Sequence, residues 1–152
     1  AVLENKIAEY DAFLTKQDPA FTVEELEEAM QKVMDQYAGG IGTHYQFNEK
    51  QLAMAEEKIK KLQILAKGLA AADMHELMFI YELKERLTVC LTVIAHLRAR
   101  KETRWHSFAE NLDYPEKSDA WLCYVNSKKN GDQITMIRRD LVKGGETYEH
   151  RD

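Results

Sequence analysis

The sequence predicts an all-α domain, an up-down bundle of three main helices plus a short leading helix, with a C-terminal β-hairpin or extended segment. Apolar residues recur at helical spacing through the first hundred residues, helix start signals recur along them, and only two prolines interrupt the chain. We therefore expect a single domain with a helical bundle at about 3–104. An aromatic loop and hairpin follow at about 105–140, and a polar tail at 141–152.

The first two helices are separated by Pro19. Apolar residues at helical spacing predict a leading helix over about 3–16. Thr22 followed by Glu25 forms a capping box, in which each residue's side chain accepts from the other's backbone amide. The second helix should begin there and stop at the glycine pair 39–40.

Two further start signals predict the third helix and the long helix. Asn48 with Gln51 makes a second capping box, and Asp73 is followed three residues later by Glu76. At 87–97 the sequence LTVCLTVIAHL is apolar nearly all round, which predicts a central helix contacted from several sides. Its last turns should then emerge into a polar setting.

The composition of the sequence changes after the long helix. Two β-prone runs, at 121–125 and 134–137, flank the pair Asn130-Gly131. This pattern predicts a hairpin with a longer loop. Because an isolated hairpin is marginally stable, we expect it to lie on the bundle or on another domain.

Composition limits the class of protein. Apolar residues are 45% and charged residues 31% of the 152, and the net charge of −5 disfavours nucleic-acid binding. No apolar run approaches the ~20 residues that cross a membrane, and no signal peptide is visible. Cys90 and Cys123 have apolar neighbours, which favours buried free thiols in a reducing compartment. We expect a cytoplasmic domain without membrane insertion.

Few residues suggest chemistry. The glycines at 39–42 follow a helix rather than a strand, so a helix stop is favoured over a phosphate loop. His75-Glu76 begins a zinc-protease motif, but Phe79 stands where the second histidine would be required. His96 is interpreted as a satisfied histidine near the core. We predict no catalytic, cofactor-binding or metal-binding residue, so this chain alone is not expected to be an enzyme.

One dense group of charges stands out at 98–106, with four cations and one acid in its first seven residues. Three interpretations remain open: a solvated helix end, a structural anchor, and an anion site. As an anchor, Arg100 and Arg104 would lie at i and i+4 on one face and hold carboxylates or carbonyls of another domain. The exposed edge would then carry Arg98 and Trp105 as well.

Several motifs, in order, resemble one family. Arg-Lys-Glu-Thr-Arg at 100–104, Asp-Tyr-Pro at 113–115 and Trp-Leu at 121–122 resemble the end of the helical domain in fumarate reductase and succinate dehydrogenase flavoproteins. The segments at 34–43 and 73–78 are more similar to the adenylylsulfate reductase alpha (flavoprotein) subunits of that superfamily. The resemblance covers roughly 21–126 and identifies the chain as a C-terminal helical domain.

The resemblance implies a parent that binds FAD, works with an iron–sulfur partner subunit and converts adenylylsulfate to AMP and sulfite, or the reverse. It also implies that the flavin and substrate sites lie upstream of Ala1, so no catalytic residue is carried over. Four motif residues would instead tie the bundle to neighbouring parts. With the edge described above, the candidate domain or subunit contacts are Arg98, Arg100, Glu102, Arg104, Trp105 and Trp121.

Other classes compete with this interpretation. The chain could be a stand-alone helical interaction module, or the C-terminal domain of a related fumarate reductase or succinate dehydrogenase type of flavoprotein. A small-ligand binder would need a pocket between the long helix and the hairpin, lined by Trp121, Tyr124 and His96.

Overall fold

The computed structural model describes residues 1–106 and 108–142, and these form a helical bundle with a two-stranded hairpin at its C-terminal side. This confirms the predicted fold class. The helices are α1 (Val2–Leu14), α2 (Val23–Tyr37), α3 (Glu49–Ala66) and α4 (Met74–Ala99). The strands are β1 (Gln46–Phe47), β2 (Glu110–Asn111), β3 (Cys123–Asn130) and β4 (Gln133–Asp140). Apart from 141–142, the predicted polar tail lies outside the described residues.

Helices α2 and α3 begin at the predicted capping boxes. The Thr22 hydroxyl accepts from the Glu25 amide at 3.2 Å, and the Glu25 carboxylate accepts from the Thr22 amide at 2.9 Å. Asn48 and Gln51 make the same reciprocal pair at the start of α3. These bonds satisfy backbone donors that the first helical turn leaves without partners.

The glycine segment is a tight turn that ends α2. Gly39 has a φ of +74°, which a residue with a side chain rarely adopts. A Cβ on Gly40 would lie 2.4 Å from the Asp35 Cα, so only glycine fits there. The Asp35 carboxylate also accepts a hydrogen bond from the Gly42 amide at 2.9 Å.

The core lies between α2, α3 and α4, and α1 packs on the side of α4. Phe13 is the buried residue of α1, and Tyr10 meets Tyr81 of α4 edge to face. Glu9 pairs with Lys84, and hydrogen bonds from Lys6 and Lys84 lower the pKa of Glu9 to about 2. The largest fully buried side chains include Leu52, Ile59, Ile80, Leu83, Leu87 and Ile94.

Helix α4 contacts the other three helices and both strands of the hairpin, which confirms the predicted contact from several sides. It is not covered all round, because Val89 is 60% exposed and Val93 41% exposed. The neighbouring elements cover the face of Leu87 and Ile94 and leave the opposite stripe open. The helix also ends at Ala99, because Arg100 is extended (ψ 110°).

The hairpin is tighter than predicted. Asn130 pairs with Gln133, which leaves a two-residue turn at Gly131-Asp132 instead of a longer loop. The left-handed φ of +61° at Gly131 suits such a turn. Cys90 and Cys123 are free thiols but are partly exposed rather than buried, and partial burial raises the pKa of Cys90.

Candidate contact site at the end of the long helix

Glu102 is the centre of the site that follows α4. Its side chain is 0% exposed. Arg100 donates to its Oε1 at 2.6 Å, Arg104 donates to both oxygens at 2.9 Å, and the Ser118 amide donates to Oε2 at 2.9 Å. Burial by itself would raise the pKa of Glu102, but the hydrogen bonds from Arg104, the Ser118 amide and Arg100 outweigh it and lower the pKa to about 2.

The two arginines also hold the backbone that leads into the hairpin. Arg100 donates to the carbonyls of Trp121 (2.9 Å) and Cys123 (3.1 Å), and Arg104 donates to the carbonyl of Ser118 (3.1 Å). A planar guanidinium can serve a carboxylate and carbonyls at once because its five N–H groups point in fixed directions. The network thereby fastens the base of the hairpin to the end of α4.

The predicted placement of Arg100 and Arg104 on one face of α4 is wrong, because the helix ends before Arg100. The backbone turns away there, and the Thr103 amide donates to the Glu116 carbonyl at 3.2 Å. In the described residues both arginines bind partners of this chain itself. Their contact with another domain stays a prediction.

Thr103 and Asn111 complete the buried part of the site and were missed from the sequence. The Thr103 hydroxyl donates to the Tyr114 carbonyl and accepts from the Asn111 amide, both at 2.9 Å. The Asn111 side chain accepts from the Asp113 amide at 3.0 Å, and Asp113 in turn accepts from the Glu49 amide at 2.7 Å. The Asp-Tyr-Pro motif thus caps α3, a role that nothing in the local sequence indicates.

Arg98 belongs to a different group. It donates to Glu49 at 2.8 Å through Nε and also pairs with Glu56, and both carboxylates lie on α3. The hydrogen bond with Glu49 raises the pKa of Arg98. Arg98 therefore joins α4 to α3 and is not among the hydrogen-bond partners of Glu102 described above.

The two tryptophans have opposite environments. Trp121 lies in a short turn at Asp119–Trp121, with the Arg138 guanidinium 4.3 Å and the Arg100 guanidinium 5.9 Å from its ring centre. Such cation–π contacts favour a fixed ring. Trp105, by contrast, is 69% exposed.

Trp105 is one of several exposed large apolar side chains on the segments that the pairing of β1 with β2 brings together. We call this set the Trp105 patch: Ile41, Tyr45, Trp105, Phe108 and Leu112. Its backbone is firmly held. The Ala109 amide donates to the Trp105 carbonyl (3.0 Å), and the amides of Glu110 and Leu112 donate to the carbonyls of Tyr45 (2.9 Å) and Phe47 (2.8 Å). Only the aromatic residues of the loop signalled this patch in the sequence, because the pairing of β1 with β2 joins segments 64 residues apart.

The groove beside the hairpin is not lined by the residues that a small-ligand binder would need. An open groove of about 960 Å³ lies between α3, α4 and the hairpin, but Trp121, Tyr124 and His96 do not line it. In the described ranges no three or more His, Cys, Asp or Glu side chains are grouped so as to hold a metal ion. No helix within these ranges is long and apolar enough to cross a membrane.

Comparisons with known proteins agree on one family. The model of the fumarate reductase flavoprotein C-terminal family matches residues 27–146. Adenylylsulfate reductase subunit alpha from Megalodesulfovibrio gigas is 34% identical over 98 residues, which are 64% of this chain and 15% of that subunit.

Two solved structures are similar. Adenylylsulfate reductase from the hyperthermophilic Archaeoglobus fulgidus matches with a TM-score of 0.85 and 32% identity, over 97% of this chain and 25% of that one. An E. coli quinol fumarate reductase matches with a TM-score of 0.75 and 18% identity, over 97% of this chain and 26% of that one, and at that identity the likeness describes the fold alone. The chain therefore spans about a quarter or less of these relatives.

Proposed function

The chain belongs to the fumarate reductase flavoprotein C-terminal family, and we propose that it is the non-catalytic helical domain of an FAD-dependent flavoprotein resembling adenylylsulfate reductase alpha subunits. In this role it buttresses the flavin domain and contributes to a subunit interface. The observation that carries the proposal is the Trp105 patch, a held apolar surface on a domain that has its own core.

An exposed group of large apolar side chains is unusual on a protein that works alone. Soluble monomers rarely leave wide contiguous apolar patches uncovered, and tryptophan is enriched where proteins contact each other. Trp105 is 69% exposed and Phe108 is 75% exposed. Their backbone is held by the hydrogen bonds of the loop, so little conformational entropy would be lost when another surface covers them.

The other candidate contacts support this surface in different ways. Four of them would stabilise the loop and the hairpin base without being part of the patch: Arg100, Glu102, Arg104 and Trp121. Arg98 would hold α3 against α4 beneath them. Of the six candidate contacts, Trp105 is the one that belongs to the patch that the neighbouring domain would cover.

We place the flavin and the chemistry in the remainder of the parent. The glycine turn at 39–42 does not fit the diphosphate of FAD, because the Gly42 amide already donates to Asp35, whose carboxylate would repel an anion. By likeness to the named relatives, the parent would convert adenylylsulfate to AMP and sulfite, or the reverse, with an iron–sulfur partner subunit. Two free cysteines fit a reducing compartment such as the cytoplasm.

The test is to express the full native reading frame and record its visible absorption spectrum beside that of the 152-residue chain. A flavin spectrum in the longer product, absent from this chain, is the expected result. A colourless product no longer than this chain would overturn the proposal. The stand-alone interaction module would then be the better account.

A further inference from the structure

The groove between α3, α4 and the hairpin has an apolar floor. Leu91, Ile94 and Ala95 of α4 line one side, and Ile134 and Met136 of β4 line the other. Ile134 and Met136 alternate with exposed residues along the strand, as expected for a face that is turned inward. The groove is open along its length, with a volume of about 960 Å³.

The rim of the groove is positively charged. Two acids of the rim, Glu49 and Glu56, form ion pairs with Arg98. Lys60 also pairs with Glu56 at 2.5 Å. After these pairs the remaining charged residues of the rim are three lysines and one aspartate: Lys101, Lys128, Lys129 and Asp132. No carboxylate within the described ranges pairs with any of the three lysines.

We propose that this groove binds an extended acidic segment of a separate polypeptide, one in which acidic and apolar side chains alternate. In an extended chain successive side chains point to opposite sides, so the apolar set would lie on Met136 and Ile134 and the acidic set on the other side. Lys128 lies on that other side, opposite Thr135, whereas Lys129 lies opposite Ile134 at the end of the apolar face. This inference does not depend on the proposed function.

Charge and backbone both favour such an occupant. Opposite charge speeds the encounter and orients the bound segment, and it disfavours basic competitors. Strands β3 and β4 pair only with each other among the described residues, so each has an outer edge whose backbone groups can pair with an added strand. A charged rim suits a partner that binds reversibly, whereas the Trp105 patch has the apolar character of a lasting contact.

The experiment titrates an acetylated eight-residue peptide of alternating aspartate and leucine into the whole chain. Methyl NMR signals of Ile134 and Met136 report on the floor. We expect these signals to shift saturably, and binding to weaken at least tenfold between 50 and 300 mM NaCl because salt screens exposed charges. Peptides of alternating lysine and leucine, or aspartate and serine, should bind at least tenfold more weakly.

A double charge reversal, Lys128→Glu with Lys129→Glu, should weaken binding at least tenfold. The matched control reverses the exposed Lys16 and Lys117, which lie outside the groove and change the net charge equally. Because reversal could disturb the hairpin, Lys128→Ala with Lys129→Ala is measured as well, and near-ultraviolet circular dichroism checks the fold.

Four results would overturn the proposal. Floor signals that stay unmoved at millimolar peptide would exclude the site, and equal binding by the control peptides would exclude the chemistry. Floor signals that move with protein concentration alone would assign the groove to a second copy. If a chain ending at Val142 binds the peptide and the whole chain does not, the occupant comes from this chain's own remaining residues.

Discussion

Arg104 binds Glu102 through two hydrogen bonds, with Nε 2.9 Å from Oε1 and Nη2 2.9 Å from Oε2. Only Thr103 lies between them along the chain, and neither Glu102 nor Arg104 lies in a helix or strand. The carboxylate is buried while Arg104 keeps some exposure, so the pair forms a boundary between the bundle and the hairpin.

Removing the negative charge at Glu102 should destabilise the domain strongly. Glu102→Gln leaves two arginines facing a neutral group in a buried site, and we expect a loss of about 3 kcal/mol in the free energy of unfolding. The midpoint of urea unfolding at an unchanged slope measures it. Glu57→Gln, at an exposed acid of α3, is the matched control and should stay within about 0.5 kcal/mol. A loss at Glu102 no larger than the control would contradict the anchoring role.

Acid should release the hairpin. The pKa of Glu102 falls from 4.5 to about 2 on folding, so the folded state binds fewer protons than the unfolded state. The stabilisation is therefore present above pH 4.5 and is lost as the pH falls towards 2. Urea midpoints across this range should converge for the native chain and Glu102→Gln at low pH. A constant difference between them would show that Glu102 does not titrate as described.

Gly40 and Gly131 should respond differently to alanine. At Gly40 the new Cβ would meet the Asp35 backbone at 2.4 Å, and we expect a loss of about 3 kcal/mol from the forced shift. At Gly131 nothing lies within 4 Å, so only the left-handed φ opposes alanine, at about 1 kcal/mol. Thermal unfolding compares the two. Equal losses would mean that the turn around Asp35 is looser than described.

The two tryptophans should be distinguishable by fluorescence quenching. Trp105 is 69% exposed, whereas Trp121 stacks against Arg138. In Trp121→Phe the remaining emission should be quenched readily by acrylamide, a neutral quencher that the flanking arginines do not attract. In Trp105→Phe it should be quenched several-fold less.

The same measurement tests the Trp105 patch in the longer parent that we propose. If this patch contacts the rest of the parent, the Trp121→Phe form of that protein should protect Trp105 from acrylamide. Quenching as strong as in the 152-residue chain would place the contact elsewhere, without bearing on whether the parent carries flavin.

The starts of the main helices were predictable because their signals are local. The two residues of each capping pair, Thr22–Glu25 and Asn48–Gln51, are only three positions apart. They therefore meet within one helical turn and need no tertiary contact. The glycine stop after α2 was predictable for the same reason. Family likeness, rather than any local rule, drew attention to Glu102 and Trp121.

What only the tertiary structure decided lies at long range. Arg98 pairs with Glu49, which is 49 positions away in the sequence, and Glu102 accepts from the Ser118 amide, which is 16 positions away. Periodicity identified α4 as apolar but did not indicate that Val89 and Val93 would stay exposed in this chain. Hydrogen bonds within a helix or a cap are set by neighbouring residues, whereas the partners of a buried charge depend on how whole elements pack. The sequence by itself therefore determined where the main helices begin, and packing determined the site.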